Sequence, residues 1–523
     1  MHKNENKNYY NETLFNTALI TIGAITSKIL GFIREVAIAA FFGASYLVDA
    51  YLVASIIPRL LFGVISEAIT TTIIPLITEY KVKLGQKSVT ELINSITTIL
   101  VLVSVLIILL GEFFAHYLVY FIAPGFEGEA IDITIKMTRV MLPMIIFLGL
   151  SGLAAGMLQS QKRFLFPSFI GIPANGFLIL FLFVFTKSWG VMALAIGTVI
   201  GLIAQWLFMS YDIRKLDFQF KPQISLNHPG LRKMGLLILP VIIGKGAADI
   251  NILVDRMLAS SLVEGSIAAL NYSTRIYLLI DTILALSLAK ALFPELSEMA
   301  IVNDMKGYVN SLKKSLIGLS IIVFPFSVGL IILREPIIRL VYERGAFDVT
   351  ATALTAFALL FYTLGLPALS LRQVVLRAYY ALQDTRTPMI IGLLTVVINI
   401  VLNLILIRYL DHGGLALATS IATTTGFLLL IWHLRKKVGS IGGMSMIISG
   451  AKIMTASLIM GFVVYYLQIY VGGLGILSGT ISDIVLLLTC GSLGAVLYFI
   501  IIKLLKIEEF DWVWRKIVGR FAK

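Results

Sequence analysis

Charged side chains interrupt the first long apolar stretch of the sequence, residues 14–80, and they are the residues best suited to bind a ligand. One arginine or lysine at the centre of a bilayer costs about 2.5–3.5 kcal/mol on insertion scales. Lys28, Arg34 and Arg59 would together cost about 8–10 kcal/mol. We therefore expect them to face a wet cavity, where a guanidinium can bind two oxygens of a phosphate group. The alternative is an internal salt-bridge network that only holds helices together.

Acidic residues in the same stretch would neutralise part of this charge. Glu35 follows Lys28 by seven residues, which places the two on one helical face, and Asp49 lies further along the chain. Arg34 has no obvious partner in its own helix, and the same holds for Arg275 in the second half of the chain. These two arginines are therefore the strongest candidates for binding an anion, with Lys28 adding a point charge.

Two later apolar stretches, 234–262 and 267–292, repeat the pattern of intramembrane charge. The first carries Arg256 and the second carries Arg275 and Asp281. If the two halves of the chain are duplicated, these charges and those of the first stretch meet across a central basic cavity.

The composition is that of a polytopic membrane protein. Of 523 residues, 58% are hydrophobic and the mean hydropathy is +0.94, whereas a soluble domain is about 45–50% apolar. A single cysteine, Cys490, excludes a disulfide within one chain, and the five histidines have no ligand spacing. No phosphate-binding loop or nucleophile–base pair is recognisable, so we expect a transporter rather than an enzyme, with no required cofactor and no nucleic-acid partner. An ion gradient, the membrane potential or the substrate gradient would drive it.

The apolar runs predict an all-α fold with fourteen transmembrane helices. They centre on 15–41, 48–74, 93–122, 138–159, 166–186, 190–210, 234–262, 267–292, 312–333, 351–376, 387–409, 413–434, 447–470 and 480–503. With the amino terminus inside, 26 of the 42 Lys and Arg residues fall on inner segments and 7 on outer ones. Because basic residues favour cytoplasmic loops, both termini are predicted to be cytoplasmic.

An internal repeat divides the chain into two pseudo-symmetric six-helix lobes, helices 1–6 and 7–12, followed by helices 13–14. Gln159 and Gln383, Asn175 and Asn399, and Gly190 and Gly414 share an offset of 224 residues. Parallel repeats of this kind are found in transporters that alternate access. The predicted segments are a cytoplasmic N-terminus 1–13, an N-lobe 14–212, a cytoplasmic linker 213–233, a C-lobe 234–437, helices 13–14 at 438–506 and an amphipathic cytoplasmic tail 507–523.

Two motifs resemble the MurJ (MviN) lipid II flippases of the multidrug/oligosaccharidyl-lipid/polysaccharide exporter superfamily. They are SKILGFIREVAIAAFFGASYLVDAYLVASIIP at 27–58 and RAYYALQDTRTP at 377–388. The resemblance implies a flippase that moves undecaprenyl-diphosphate-linked muropeptide from the inner to the outer leaflet by alternating access. It also implies a bacterial cytoplasmic membrane protein, a monomer, whose partners are lipid II, membrane lipids and the cell-wall synthesis machinery.

The resemblance also carries over to single residues. Arg34 and Arg275 match family arginines, Glu35 and Asp49 match family acids, and Lys28 stands where the family usually has arginine.

In helix 2 the sequence departs from the family pattern. Phe62 and Gly63 stand where the family usually has a basic pair, so Arg59 is the expected substitute there. Some relatives hold sodium between helices 7 and 11, for which Asp255 and Asp384 are the carboxylates here. Helices 13 and 14 would form the groove for the polyprenyl tail.

Three other functions remain open. A flippase for another polyprenyl-diphosphate-linked glycan would use the same chemistry. A cation-coupled drug exporter of the same superfamily would have a more acidic and aromatic cavity. A membrane-embedded glycosyltransferase would need catalytic carboxylates in an outer loop, where Glu127, Glu129 and Asp132 are the candidates.

Overall fold

The computed structural model describes residues 2–216, 218–225, 228–473, 479–507 and 510, and in this part of the chain the regular structure is helical throughout. A π-helical segment, Thr282–Leu286, joins α9 to α10. The α-helices, numbered in chain order, are α1 His2–Phe42, α2 Tyr46–Ile122, α3 Glu129–Met141, α4 Met144–Ser160, α5 Leu165–Ser168, α6 Gly171–Trp189, α7 Met192–Ile213, α8 Pro229–Ala259, α9 Ser266–Asp281, α10 Ser287–Ile301, α11 Met305–Ile332, α12 Arg334–Tyr342, α13 Val349–Leu364, α14 Leu366–Ala381, α15 Arg386–Val438, α16 Gly443–Gly473 and α17 Thr480–Leu504.

The helices have the length and composition of membrane spans. Within the described residues, eight helices are long and apolar enough to cross a bilayer, or up to ten if each of two bent helix pairs forms one span. This confirms the prediction of an all-α polytopic membrane protein. Helix α1 begins at His2, within the predicted N-terminal segment 1–13, and the predicted tail 507–523 lies outside the described residues apart from Ile507 and Phe510. Both segments stay predictions.

Two of the helices are interrupted by a residue with positive φ. Gly85 (φ 80°, ψ 176°) breaks α2, and Asp411 (φ 47°, ψ −132°) breaks α15. The left-handed region suits glycine because it has no Cβ, and aspartate is among the residues that tolerate it best. Each break falls between two predicted spans, so the chain changes direction there.

The chain divides into two compact units, Met1–Ile267 and Ala268–Lys523. In unit 1, α2 packs against α3, α4 and α8, while α6 packs against α1 and α7. In unit 2, α11, α16 and α17 pack together, and α14 and α13 pack against α15. The boundary between the two compact units lies after α8, whereas the boundary between the predicted N-lobe and C-lobe lies near the start of α8. The lobes describe a duplication of sequence, and they remain a prediction.

Backbone geometry places the internal repeat in a different register from the predicted one. Lys162 and Gln383, which lie 221 residues apart, both have φ 58° after a helix end. Gly190 and Asp411, also 221 apart, have φ 55° and 47°. The predicted offset of 224 is therefore wrong by three residues at these turns, because apolar helices offer many near-equivalent sequence matches.

Small residues bring α1 close to the segment that holds α5 and α6. An ideal Cβ on Gly23 would lie 2.5 Å from the carbonyl oxygen of Ser168, and one on Gly171 would lie 2.6 Å from Cβ of Ser27. Such small residues are typical of tightly packed membrane helices. The next residue on this face of α1, Gly31, faces Asn175. The packing thus fixes the part of α1 that carries Arg34.

Replacing Gly23 with leucine should loosen this contact. The new Cβ would overlap the backbone of Ser168, and overpacking of this kind costs about 1–3 kcal/mol. We expect a lower melting temperature in detergent, measured by size-exclusion chromatography after heating. Gly176→Leu is the matched control on α6, because its Cβ meets no atom within 4 Å. Equal melting temperatures for the two variants would contradict the close contact.

Candidate functional site

Arg34 is held by two partners inside unit 1. Its Nη2 lies 2.6 Å from Oε1 of Glu35, and its Nη1 donates to Oδ1 of Asn175 at 2.9 Å. The Asn175 amide is oriented in turn, because its Nδ2 donates to the Gly171 carbonyl at 2.7 Å. The expectation that Arg34 lacks a partner in its own helix is therefore wrong. Adjacent residues point about 100° apart on a helix, but the long arginine side chain spans that angle.

The ion pair is largely enclosed, yet it leaves one donor of Arg34 unused. Glu35 is only 3% exposed, while Arg34 is half-buried. The Nε of Arg34 is buried and makes no hydrogen bond within the described residues. A guanidinium fixed in this way is oriented before any ligand arrives, which lowers the entropy lost on binding an anion.

The other two basic residues of the first stretch are more accessible. Lys28 on α1 and Arg59 on α2 are both exposed side chains of unit 1. That they share one chamber with Arg34 stays a prediction.

Asp49 joins the start of α2 to the loop between α8 and α9. It is 3% exposed, and its Oδ2 accepts the N–H of Gly265 at 2.8 Å. Gly265 has φ 83°, and a Cβ there would lie 2.2 Å from the carbonyl oxygen of Ala44. A second bond beside it, from the Tyr46 N–H to Oε1 of Glu264, is 3.1 Å long. In this structure Asp49 thus holds a loop in place, and its predicted contact with substrate is untested.

Arg256 has a similar backbone role. Its Nη1 donates to the Ile267 carbonyl at 2.9 Å, at the first turn of α9. Arg256 follows Arg34 by 222 residues, and Gly265 follows the positive-φ residue Gly43 by the same interval. The two arginines thus occupy matching positions before matching turns, which supports a duplication of this part of the chain.

In unit 2 the predicted ligand Arg275 is half-buried on α9. The neighbouring acid Asp281 accepts a 2.7 Å hydrogen bond from Ser370 on α14. Arg372 lies on α14, like Ser370, and its Nε is buried without a hydrogen bond in the described part of the chain. Unit 2 therefore also keeps arginines inside apolar surroundings.

The two carboxylates predicted to hold sodium lie in different units. Asp255 is half-buried on α8. Both oxygens of Asp384 accept hydrogen bonds: Oδ1 from the Thr387 N–H at 3.0 Å, and Oδ2 from the Thr387 hydroxyl at 2.7 Å and from Lys437. Among the described residues, no group of three or more His, Cys, Asp or Glu side chains is placed to hold a metal ion. The sodium site stays a prediction.

The Asp384–Lys437 pair should be structural, and its reversal should be tolerated. Partial burial alone would raise the pKa of Asp384, but hydrogen bonds from Lys437 and Thr387 outweigh it and lower the pKa to about 2. Because this pKa lies below the value of about 3.9 for a free aspartate, the pair contributes its full stability above about pH 4 and loses it as the pH falls from there towards 2. At the equivalent turn of unit 1 the polarity is opposite: Arg163 on the turn binds Asp212 at 2.9 Å.

We therefore expect Asp384→Lys to lower the melting temperature at pH 7 and the swap Asp384→Lys/Lys437→Asp to restore most of the loss. Differential scanning fluorimetry would measure both. Transport by the swap variant tests the predicted sodium site, because the swap moves the carboxylate from residue 384 to residue 437. A swap that is stable but inactive would favour a ligand role for Asp384.

An apolar cavity of about 610 Å³ lies in unit 2. Helices α9, α11, α16 and α17 contribute its walls, and Gly491 and Phe326 are exposed, so it opens to the surface of the unit. Apolar cavities of about 300–1,000 Å³ are typical of small-ligand sites. The family resemblance implied a groove formed by the predicted helices 13 and 14, which correspond to α16 and α17, and it gave no role to α11, which also lines the cavity.

Lys452, another intramembrane charge, is accounted for by helix capping. Its Nζ donates to the Leu505 carbonyl at 2.8 Å, at the carboxyl end of α17. Cations at this end satisfy free carbonyls and interact favourably with the helix dipole.

The sequence marked Asn175 only as a member of the internal repeat, and its contact with Arg34 was missed. The spacing of Gly23, Ser27 and Gly31 is the signal that predicts a close helix at this position.

Comparisons with known proteins identify the family of the chain. A family model described as lipid II flippase MurJ matches residues 38–483. A probable lipid II flippase MurJ from Rickettsia prowazekii (strain Madrid E) is 30% identical over 469 residues, which cover 87% of this chain and 92% of that protein. A solved structure of lipid II flippase MurJ in an inward closed conformation has a TM-score of 0.77 at 28% identity, covering 92% of this chain and 98% of that one.

A second solved structure is similar in fold alone. It is an inward-facing multidrug resistance MATE transporter of the MOP superfamily, with a TM-score of 0.66 at 14% identity, covering 80% of this chain and 96% of that one. The family model and the Rickettsia relative each extend over most of the sequence. The chain therefore belongs to the lipid II flippase MurJ family.

Proposed function

We propose that this protein moves lipid II, the undecaprenyl-diphosphate-linked peptidoglycan precursor, from the inner to the outer leaflet. The observation that carries the proposal is Arg34, an arginine that Glu35 and Asn175 hold in place and whose side chain is still 20% exposed. A diphosphate is the ligand that such a guanidinium suits best, since its oxygens accept charge-assisted hydrogen bonds. Family membership supports a transporter rather than a catalytic enzyme.

Three further basic residues are proposed ligands for the diphosphate. They are Lys28 and Arg59, whose side chains are exposed, and Arg275, which is half-buried. Glu35 and Asp49 would hold the site in shape, and Arg256 would hold the turn before α9. Substrate would move by alternating access, driven by the membrane potential or an ion gradient.

The apolar cavity of unit 2 is the proposed site for the polyprenyl chain. Its walls are aliphatic and aromatic side chains, and burying each methylene group there contributes about 0.8 kcal/mol. A lipid tail held here and a diphosphate held by arginines together account for a substrate that is both charged and apolar.

Fourteen spans follow if the long helices are divided at their breaks. Helices α2 and α15 would each cross twice, on either side of Gly85 and Asp411. The segments α3–α4, α9–α10 and α13–α14 would each cross once, and α1, α6, α7, α8, α11, α16 and α17 complete the set. The proposal puts both termini in the cytoplasm, which the charge asymmetry supports, and treats the protein as a monomer.

Depletion of the protein in its bacterial host tests the function. Lipid-linked precursor should accumulate in the inner leaflet while outer-leaflet lipid II falls. Unchanged outer-leaflet lipid II would refute the proposal. Loss of another surface glycan with normal lipid II would instead identify a flippase for a different polyprenyl-diphosphate substrate, which the same arginines and cavity would bind.

A further inference from the structure

A second cavity, of about 280 Å³, lies in unit 1 where α2 is broken at Gly85. Both arms of α2 contribute to it, together with the end of α4 and the segment after α7. The lining residues that bear on ligand binding are Lys81, Gln86, Gln161 and Lys215. This end of the unit carries basic loops, which the positive-inside rule assigns to the cytoplasmic side.

Three of the lining side chains have hydrogen-bond donors to spare. Lys81 donates once, to Oε1 of Gln161 at 2.8 Å, which leaves two ammonium protons. Lys215 lies 3.8 Å from Asp212, which is too long for a hydrogen bond. The side-chain amide of Gln86 makes no hydrogen bond within the described residues. The cavity therefore offers donors on two of its sides.

The charge around the cavity favours an anion. Asp212 is the carboxylate beside Lys215, and it is shared between Lys215 at 3.8 Å and Arg163 at 2.9 Å, so it neutralises only one of these two cations. Lys162 and Arg214 lie next to these residues in the sequence and add further positive charge. Apart from Ser160 and Gln161, the rest of the lining is apolar, which makes the cavity amphipathic.

We propose that this cavity binds the phosphate of an anionic membrane phospholipid, with Lys81, Lys215 and Gln86 as donors. Basic pockets between membrane helices on the cytoplasmic side commonly bind acidic headgroups. The apolar walls suit the glycerol and the first acyl carbons, which a free anion does not have. The site is separate from Arg34 and from the apolar cavity of unit 2, so it does not depend on the transported substrate.

Binding is measured on the purified full-length protein without substrate, by titration with dioctanoyl phosphatidylglycerol in detergent. Each lysine near an anionic headgroup contributes about 1 kcal/mol, so the double variant Lys81→Ala/Lys215→Ala should bind about 30-fold more weakly. Gln86→Leu changes no charge and should weaken binding about fivefold through one lost hydrogen bond. Dioctanoyl phosphatidylcholine and inorganic phosphate should both bind much more weakly than phosphatidylglycerol.

The matched control is Lys83→Ala/Lys87→Ala, which removes two exposed lysines of α2 that do not line the cavity. It should change affinity by less than about twofold, since it leaves the donors in place. An equal loss in the control, or no loss in Gln86→Leu, would show attraction to surface charge in general and overturn the proposal. Inorganic phosphate binding as tightly as the lipid would overturn it too, in favour of a soluble anion.

Discussion

Arg34→Ala should abolish complementation of a depleted host, while the protein still inserts into the membrane. The substitution removes charge-assisted hydrogen bonds to the diphosphate, each contributing about 1.5–3 kcal/mol. It also breaks the 2.6 Å ion pair with Glu35, which is only 3% exposed, and removing one member of a buried ion pair costs about 3–5 kcal/mol. The two effects must be separated before the result bears on substrate binding.

The double variant Arg34→Gln/Glu35→Gln separates them. It removes both charges, so no buried carboxylate is left unpaired, and folding should recover. If Arg34 binds the diphosphate, transport stays at least about 100-fold below wild type, because two charge-assisted contacts are lost. If Arg34 only neutralises Glu35, the double variant should support normal growth, and the proposed site would be wrong. Arg232→Ala, at an exposed arginine of the same unit, is the control for loss of one positive charge.

Arg34→Lys and Asn175→Ala refine the same test. Lysine keeps the charge but cannot contact Glu35 and Asn175 with two separate nitrogens in the observed geometry. We expect partial activity if charge dominates and almost none if the planar fork is required. Asn175→Ala leaves Arg34 charged but less well oriented, so transport should fall about tenfold with little change in the amount of folded protein.

The sequence indicated which residues are unusual more reliably than what they touch. The cost of an intramembrane charge is local, so Lys28, Arg34 and Arg59 stand out without any structure. Their partners depend on how helices rotate about their axes, which local sequence does not determine. The contact of Arg34 with Asn175 spans 141 residues and follows from the small residues that bring α1 against α6.

Backbone geometry decided other questions that composition left open. The repeat is visible in the sequence, but its register became clear from Lys162 and Gln383, whose positive φ marks equivalent turns. Lys452 has the same charge as the candidate ligands, yet it caps α17. Such a role is readable only when the end of the neighbouring helix is known, because the capped carbonyl of Leu505 lies 53 residues away.

Filling the apolar cavity of unit 2 should stop transport without unfolding the protein. Gly491 lines the cavity and a Cβ there meets no atom within 4 Å, so Gly491→Trp places an indole in open space. Excluding even three methylene groups of a lipid chain costs about 2.4 kcal/mol, which is a ~50-fold loss of affinity. Transport in reconstituted vesicles and binding of a polyprenyl phosphate should both fall by at least tenfold.

Gly450→Trp is the matched control for this cavity. Gly450 lies on α16, does not line the cavity, and also has open space at its Cβ position. It should keep normal transport. Leucine at Gly329, on the α11 wall of the cavity and likewise free of contacts, should reproduce a milder form of the Gly491→Trp defect. If both cavity variants transport normally, the chain of the lipid does not occupy this space, and the arginines alone would have to hold the substrate.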